Sequence, residues 1–162
     1  MSTRRDFVKT SAKIAAGVSL VSAIPGAASC ANKANEKLVV GAIGLNGMGF
    51  SDLRAILALP NVECAAICDI DQNVLAKRLP QIAEIQGGIE PDTYSDYRKL
   101  LERKDIDAVI IGTPDHWHAL ICVMASKANK HIYCEKPLTH SIAEGRIIVD
   151  EVKRSGVVFQ TG

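Results

Sequence analysis

The stretch Gly41-Ala42-Ile43-Gly44-Leu45-Asn46-Gly47-Met48-Gly49 places four glycines in nine residues, between an apolar run and an amphipathic one. A glycine-rich turn from a strand into a helix can cradle phosphate. Backbone N–H groups at the helix start face the anion, and the helix dipole favours its charge. Gly44 permits the tight turn, and Gly49 lets the helix lie close to the strand. Asn46 stands where G-x-G-x-x-G has its middle glycine, with Gly47 beside it, and Asn tolerates left-handed backbone better than most residues. Taken alone this is as readily a plain glycine-rich turn. Asp69 adds a second observation. It closes the next apolar run, twenty residues after Gly49, where an acid can accept hydrogen bonds from ribose hydroxyls, although a helix N-cap would use the same residue. Asp71 follows, and no Arg or Lys stands at 70–73, so a 2′-phosphate would be repelled. Loop and acid together point to a dinucleotide, NAD in preference to NADP.

Two later segments could also do chemistry, Thr113-Pro114-Asp115-His116-Trp117-His118 and Glu135-Lys136-Pro137. His116 and His118 are two apart at a helix start, poor spacing for sharing a metal on one helical face. The cysteines at 30, 64, 68, 122 and 134 show no CxxC or His-x-Cys spacing, so no metal site is expected. Cys64 and Cys68 share one strand, too far apart to bond, and read as small buried hydrophobes. His116 reads as exposed and Trp117 as packing.

The elements that must position these groups alternate. Leu38–Gly44, Val62–Asp69, Asp107–Gly112 and His131–Cys134 read as strands, and Gly156-Val157-Val158-Phe159 starts a last one. Helices are expected over Met48–Leu59, stopped by Pro60, and over Asp71–Gln86, kinked or broken at Pro80 and ended by Gly87-Gly88. Further helices are expected within Tyr94–Arg103 and over Asp115–Lys127 and Ser141–Lys153. Ala108-Val109-Ile110-Ile111 is apolar without alternation, as in a strand covered on both faces. Repeated βαβ units predict the α/β class, a doubly wound parallel sheet between helices.

The 162 residues are 48% apolar and 23% charged, with 19 Lys+Arg against 18 Asp+Glu. That is ordinary globular composition, and a formal net charge of +1 offers no field for nucleic acid or an anionic membrane. Aromatics at 4% argue against stacking platforms for single strands. Residues 1–30 read as an export signal. Thr3-Arg4-Arg5-Asp6-Phe7-Val8-Lys9 has the twin-arginine pattern, and Ile14–Ile24 is free of charge but shorter than the roughly 20 residues of a membrane span. Ala27-Ala28-Ser29-Cys30 resembles a lipoprotein cleavage box at Cys30, although Ala27 stands where that box prefers Leu, and an ordinary cleavage site near Ser29 is the alternative. Residues 31–37 read as a tether, and 38–162 as the dinucleotide-binding domain. The location expected is the periplasm, or the cell envelope through a lipid on Cys30.

Gly112-Thr113-Pro114-Asp115-His116-Trp117-His118-Ala119 and Tyr133-Cys134-Glu135-Lys136-Pro137-Leu138, with the loop and Asp69, resemble the Gfo/Idh/MocA family of oxidoreductases, over Leu38–Gly162. Glucose–fructose oxidoreductase and inositol dehydrogenase are members, and the twin-arginine leader resembles exported ones. The resemblance implies a Rossmann domain binding NAD. Gly44, Asn46, Gly47, Met48 and Gly49 would hold the pyrophosphate and Asp69 the adenosine ribose. Thr113, Pro114 and His118 would line the cofactor, and Glu135 and Lys136 would lie by the nicotinamide ribose and substrate. Lys136 would be the catalytic residue, its ammonium orienting a sugar or polyol hydroxyl and stabilising alkoxide as hydride leaves. Pro137 would fix a rigid turn, cis or trans. A second α/β substrate domain would follow Gly162, so the 162-residue chain alone would be inactive, and the full protein would be a homo-oligomer. An NAD-dependent glycoside hydrolase of the same family, and a non-catalytic dinucleotide-binding fragment, are the alternatives.

Replacing Arg4 and Arg5 together by Lys is expected to hold the precursor in the cytoplasm, because the receptor of that route reads the arginine pair. Cell fractionation checks this; normal export of the double variant would point to the general secretory route.

Overall fold

A computed structural model describes residues 37–162. The expected export signal over 1–30 with Cys30, and residues 31–36 of the expected tether, lie outside the described residues. The elements are β1 (Leu38–Ile43), α1 (Met48–Leu57), β2 (Val62–Cys68), α2 (Gln72–Ile85), β3 (Asp92–Tyr94), α3 (Tyr97–Leu101), β4 (Ala108–Ile111), α4 (Asp115–Lys127), β5 (His131–Cys134), α5 (Ile142–Ser155) and β6 (Phe159–Thr161). The strands form one sheet in the order β3-β2-β1-β4-β5-β6, with every pairing parallel. The chain winds outward from β1 to one edge, then returns to β4 on the other side of β1. The sheet therefore reverses its order between β1 and β4, and ligands collect beyond the carboxyl ends of the strands at such a point.

Both faces of the sheet are covered. On one, Val40, Ala42, Cys64, Ile67 and Ile110 pack with Phe50 and Leu53 of α1 and Leu75 and Ile82 of α2. On the other, Ile43, Val109, Ile111 and Ile132 pack with Leu100 of α3, Ile121, Cys122 and Ala125 of α4, and Ile148 of α5. Val109 and Ile111 face one layer and Ile110 the other, which is why β4 reads as an apolar run without alternation.

Three local features differ from the sequence expectation, and local chemistry explains them. Helix α2 runs unbroken through Pro80. Pro80 removes one hydrogen bond to the Ala76 carbonyl, but both residues are exposed, so water can serve it. The acid that caps α2 is Asp71, accepting from the Asn73 N–H at 2.9 Å, which leaves Asp69 free for other partners. Gly156 does not begin a strand. At φ 73° it ends α5 in left-handed conformation, and β6 starts at Phe159.

The decisive packing is glycine on glycine. A Cβ on Gly49 would overlap the Gly44 carbonyl oxygen, and one on Gly112 would overlap the Gly49 Cα. The first turn of α1 thus lies directly on the ends of β1 and β4. Gly49→Ala is expected to destabilise the chain by about 1–3 kcal/mol, the cost of overpacking. Gly145→Ala, where a Cβ meets only Thr139 Oγ1 at 3.6 Å, is expected to stabilise by about 0.5–1 kcal/mol. Urea unfolding midpoints of the two variants, moving in opposite directions, check both.

Candidate functional site

Beyond the carboxyl ends of β1 to β4 lies a cleft of about 810 Å³. Gly44 and Asn46 line it from the β1 loop, Asp69 and Asp71 from the β2 end, and Thr113 and Pro114 from the β4 loop. Gly47, Met48 and Gly49 continue from that loop into α1 and are not on the cleft wall.

The β1 loop is fixed at its Leu45 peptide. Gly44, at φ 82°, turns the chain and donates its N–H to the Cys68 carbonyl at 2.8 Å. Asp69 Oδ2 accepts from the Leu45 N–H at 2.9 Å, and Oδ1 from the Asp71 N–H at 3.0 Å. The Leu45 carbonyl accepts from Arg78 Nε at 3.2 Å, while that guanidinium stacks 4.0 Å above the Phe50 ring. The Leu45 side chain is fully buried. Asp69 therefore shapes the loop as well as lining the cleft. Arg78 carries no motif signature. It meets Leu45 across thirty-three residues, a contact that local spacing does not reveal.

The loop leads into α1, which differs electrostatically from the other described helices. Asp71, Asp96 and Ser141 cap α2, α3 and α5, and Asp115 stands in the first turn of α4. Helix α1 has neither a side-chain cap nor an acid in its first turn. Its free N–H groups and positive dipole end suit an anion such as a pyrophosphate. Two further features fit a dinucleotide. No side chain blocks the glycine cradle, and the buried Thr113 hydroxyl has no protein partner.

His118 stands behind the cleft wall, at 1% exposure. Its Nδ1 lies 2.9 Å from the Pro137 carbonyl and its Nε2 2.7 Å from the Thr113 carbonyl. Both acceptors lack protons, so both ring nitrogens are satisfied only as donors, in the imidazolium. Burial opposes that charge, but the neighbouring Cys134 sulfur and the two carbonyls push the ring up to about 9. His118 thereby ties the β4 loop to the Glu135-Lys136-Pro137 turn, whose Lys136–Pro137 peptide is cis. Trp117, expected to pack, is 43% exposed and lines the cleft with the exposed His116. Its ring turns outward because Asp115–Lys127 buries His118, Ile121 and Cys122 instead.

The turn after β5 lies outside the cleft wall. Lys136 is exposed. Glu135 is buried, with its N–H donating to the Ile111 carbonyl at 2.9 Å. Asp52 of α1 faces it, and burial, then the Glu135 charge, holds the Asp52 carboxyl above its ordinary range. Asp52 Oδ2 is buried without a partner. Sequence spacing gave no sign of Asp52, which sits on a helix and acquires its setting from β5.

Comparison with known proteins bears on the same residues. A family model described as the oxidoreductase family with NAD-binding Rossmann fold, Gfo/Idh/MocA, matches residues 38–162. A Shewanella sp. (strain W3-18-1) protein named glycosyl hydrolase family 109 protein is 34% identical, over 94% of this chain and 37% of that protein. Among solved structures, myo-inositol 2-dehydrogenase from Lactobacillus plantarum is 28% identical with a TM-score of 0.67, covering 78% of this chain and 36% of the other. Scyllo-inositol dehydrogenase from Lactobacillus casei, solved with NAD(H) and scyllo-inositol, has a TM-score of 0.70 at 22% identity, covers 78% and 36%, and shares the fold. The chain thus spans little more than a third of each relative.

Asp69→Ala orphans two backbone N–H groups at the cleft. It is expected to cost about 1–3 kcal/mol of stability without any ligand and to weaken NAD binding by about 1–3 kcal/mol. Asp69→Asn, which keeps one acceptor oxygen, should lose less on both counts. Urea unfolding and titration calorimetry with NAD read the two effects separately. Unchanged values for Asp69→Ala in both would remove Asp69 from the loop and from the site.

Proposed function

The chain belongs to the Gfo/Idh/MocA family of NAD-dependent oxidoreductases, whose NAD-binding Rossmann domain it carries, and on that footing we propose that it is the cofactor half of an exported enzyme oxidising a sugar or polyol hydroxyl. The observation that carries the proposal is the uncapped α1 start, reached through a glycine loop whose Gly44 and Asn46 line the same cleft as Asp69 and Thr113. In this proposal the backbone N–H groups from Asn46 to Gly49 hold the pyrophosphate. Asp69 accepts from the adenosine ribose with the lone pairs left free by Leu45 and Asp71. Thr113 and Pro114 line the nicotinamide half, and His118 keeps their loop in place. NAD, once bound, supplies the hydride acceptor.

Lys136 is the proposed catalytic residue. It extends from the end of β5, and the turn that carries it is pinned at the Pro137 carbonyl by His118. Its ammonium gains little from a neutral hydroxyl and more as negative charge grows on that oxygen, so it acts on the rate. The polyol class is supported by the inositol dehydrogenases that share the fold. The twin-arginine leader and Cys30 supply the proposed route and envelope location, and the complete protein is proposed to be a homo-oligomer.

A second reading has its own support. A relative that matches 94% of this chain at 34% identity bears a glycosyl hydrolase name. A hydrolase of this kind would oxidise the sugar transiently, eliminate the aglycone, add a solvent water in its place and return the hydride, consuming no net NAD. Two assays on the complete protein separate the readings: net NAD reduction with a sugar and polyol panel, and nitrophenol release from nitrophenyl glycosides with catalytic NAD. Lys136→Ala is expected to lower single-turnover hydride transfer by roughly 10²–10³ while NAD affinity changes less than about tenfold. Loss of NAD binding at an unchanged rate would make Lys136 a cofactor clamp instead.

A further inference from the structure

His116 and His118, two apart on one helix, cannot share a metal, but the fold brings a third histidine to the first turn of α4. His140, the residue before the α5 cap Ser141, places Nε2 2.9 Å from Asp115 Oδ1. His116 Nδ1 lies 3.7 Å from the same oxygen. The three donor atoms all fall within 4.8 Å of one another. Two ligands about 2.1 Å from a tetrahedral ion stand about 3.4 Å apart. The two measured edges bracket that value, so small side-chain rotations would seat an ion between them. We propose that Asp115, His116 and His140 form a binding site for a divalent d-block ion of the Zn²⁺ or Co²⁺ kind, with water in the remaining position.

The donor chemistry selects that class. Two imidazoles and one carboxylate suit zinc and cobalt, whereas magnesium and calcium favour oxygen ligands. The backbone under the donors is already fixed. Asp115 Oδ1 accepts from the His116 N–H at 2.9 Å, and the His140 N–H donates to Glu144 Oε2 at 3.0 Å within the α5 capping box. The His116 and His140 rings meet edge to face, with centroids 6.2 Å apart. All three side chains reach solvent, so an ion has an open path.

The placement gives the ion a role. Asp115 and His116 follow the Thr113-Pro114 loop, and His140 follows the Lys136-Pro137 turn. These are the two loops that His118 joins from behind. An ion here would join them again from the solvent side, at a cleft that His116 helps to line. This inference does not depend on the reaction proposed above.

The test uses Co²⁺ and Zn²⁺ on the full chain. Titration with Co²⁺ is expected to give visible d–d bands saturating at one ion per chain, and Zn²⁺ to displace it and raise the melting temperature. His116→Ala and His140→Ala each remove a ligand and should weaken binding roughly tenfold or more, since even outer-shell partners of a metal commonly contribute that much. Both side chains are exposed, so neither replacement should disturb the fold, and circular dichroism of the apo variants checks this. His131→Ala, away from the cluster, should leave the titration unchanged. Absence of saturable binding, or binding that survives both the His116 and the His140 replacements, overturns the site. In that case Asp115 and His140 form a side-chain contact only.

Discussion

Everything at the cleft depends on the contact of three glycine backbones. Gly44 turns out of β1, Gly112 leaves β4, and Gly49 in α1 lies against both with no room for a Cβ. This brings the start of α1 onto the sheet at the point where the strand order reverses. Side chains at these positions would push the helix outward, and its free N–H groups would no longer stand over the strand ends. The contact also explains why Asn46 is acceptable where the motif has glycine. Asn46 has no positive φ in this loop, and the left-handed positions are Gly44 and Gly47. The strained geometry falls on the residues able to adopt it.

A second tier of contacts keeps that contact in register. Asp69, Leu45 and Arg78 form a chain from the end of β2, through the loop peptide, to α2. His118 does the same work on the other side of the switch point, between the β4 loop and the β5 turn. In both cases a charged side chain satisfies backbone groups that belong to no helix or strand. Loops that must adopt one shape around a ligand cannot rely on ladder hydrogen bonds, so side chains provide the partners. The cost of burying His118 is met by two carbonyls and the Cys134 thiol, which is why its ring keeps the proton.

The fold was legible in the sequence because its signals are local. Glycine runs, the unalternating Ala108–Ile111 strand and the amphipathic helices each occupy one short window, and their order alone implies a parallel sheet. The loop glycines and Asp69 were legible for the same reason, whereas Thr113 came only from the resemblance of its segment to the family. What local spacing could not show is pairing across the fold. Arg78 meets Leu45, Asp52 meets Glu135, and His140 meets Asp115 only because helices return to neighbouring strand ends. Pro80 misled because its disruptive power depends on whether the freed carbonyl is buried, and in α2 it is on the exposed side. Trp117 misled because a large aromatic next to a buried histidine reads as core, while the helix phase that buries His118 turns the neighbouring ring into the cleft.

The preference for NAD over NADP changes its basis once the fold is considered. The sequence argument rested on Asp69, Asp71 and the lack of a cation at 70–73. The cleft in fact receives a cation from elsewhere, since Arg98 of α3 lines it. That guanidinium is held by Asp96, also on the wall, at 3.1 Å. Both are exposed, so the pair itself is worth little, but the local count still favours the acids. Asp69, Asp71 and Asp96 stand against Arg98 alone on this wall. A phosphate entering beside Asp69 would have to draw Arg98 away from Asp96 while leaving three carboxylates near its own charge. A ribose hydroxyl meets no such conflict. In the proposed pose it would donate to the lone pairs of Asp69 left over from the Leu45 and Asp71 N–H groups, and the loop would keep its shape. On the proposed reading, the same carboxylate that fixes the turn would favour the unphosphorylated ribose, which would couple cofactor preference to the integrity of the β1 loop.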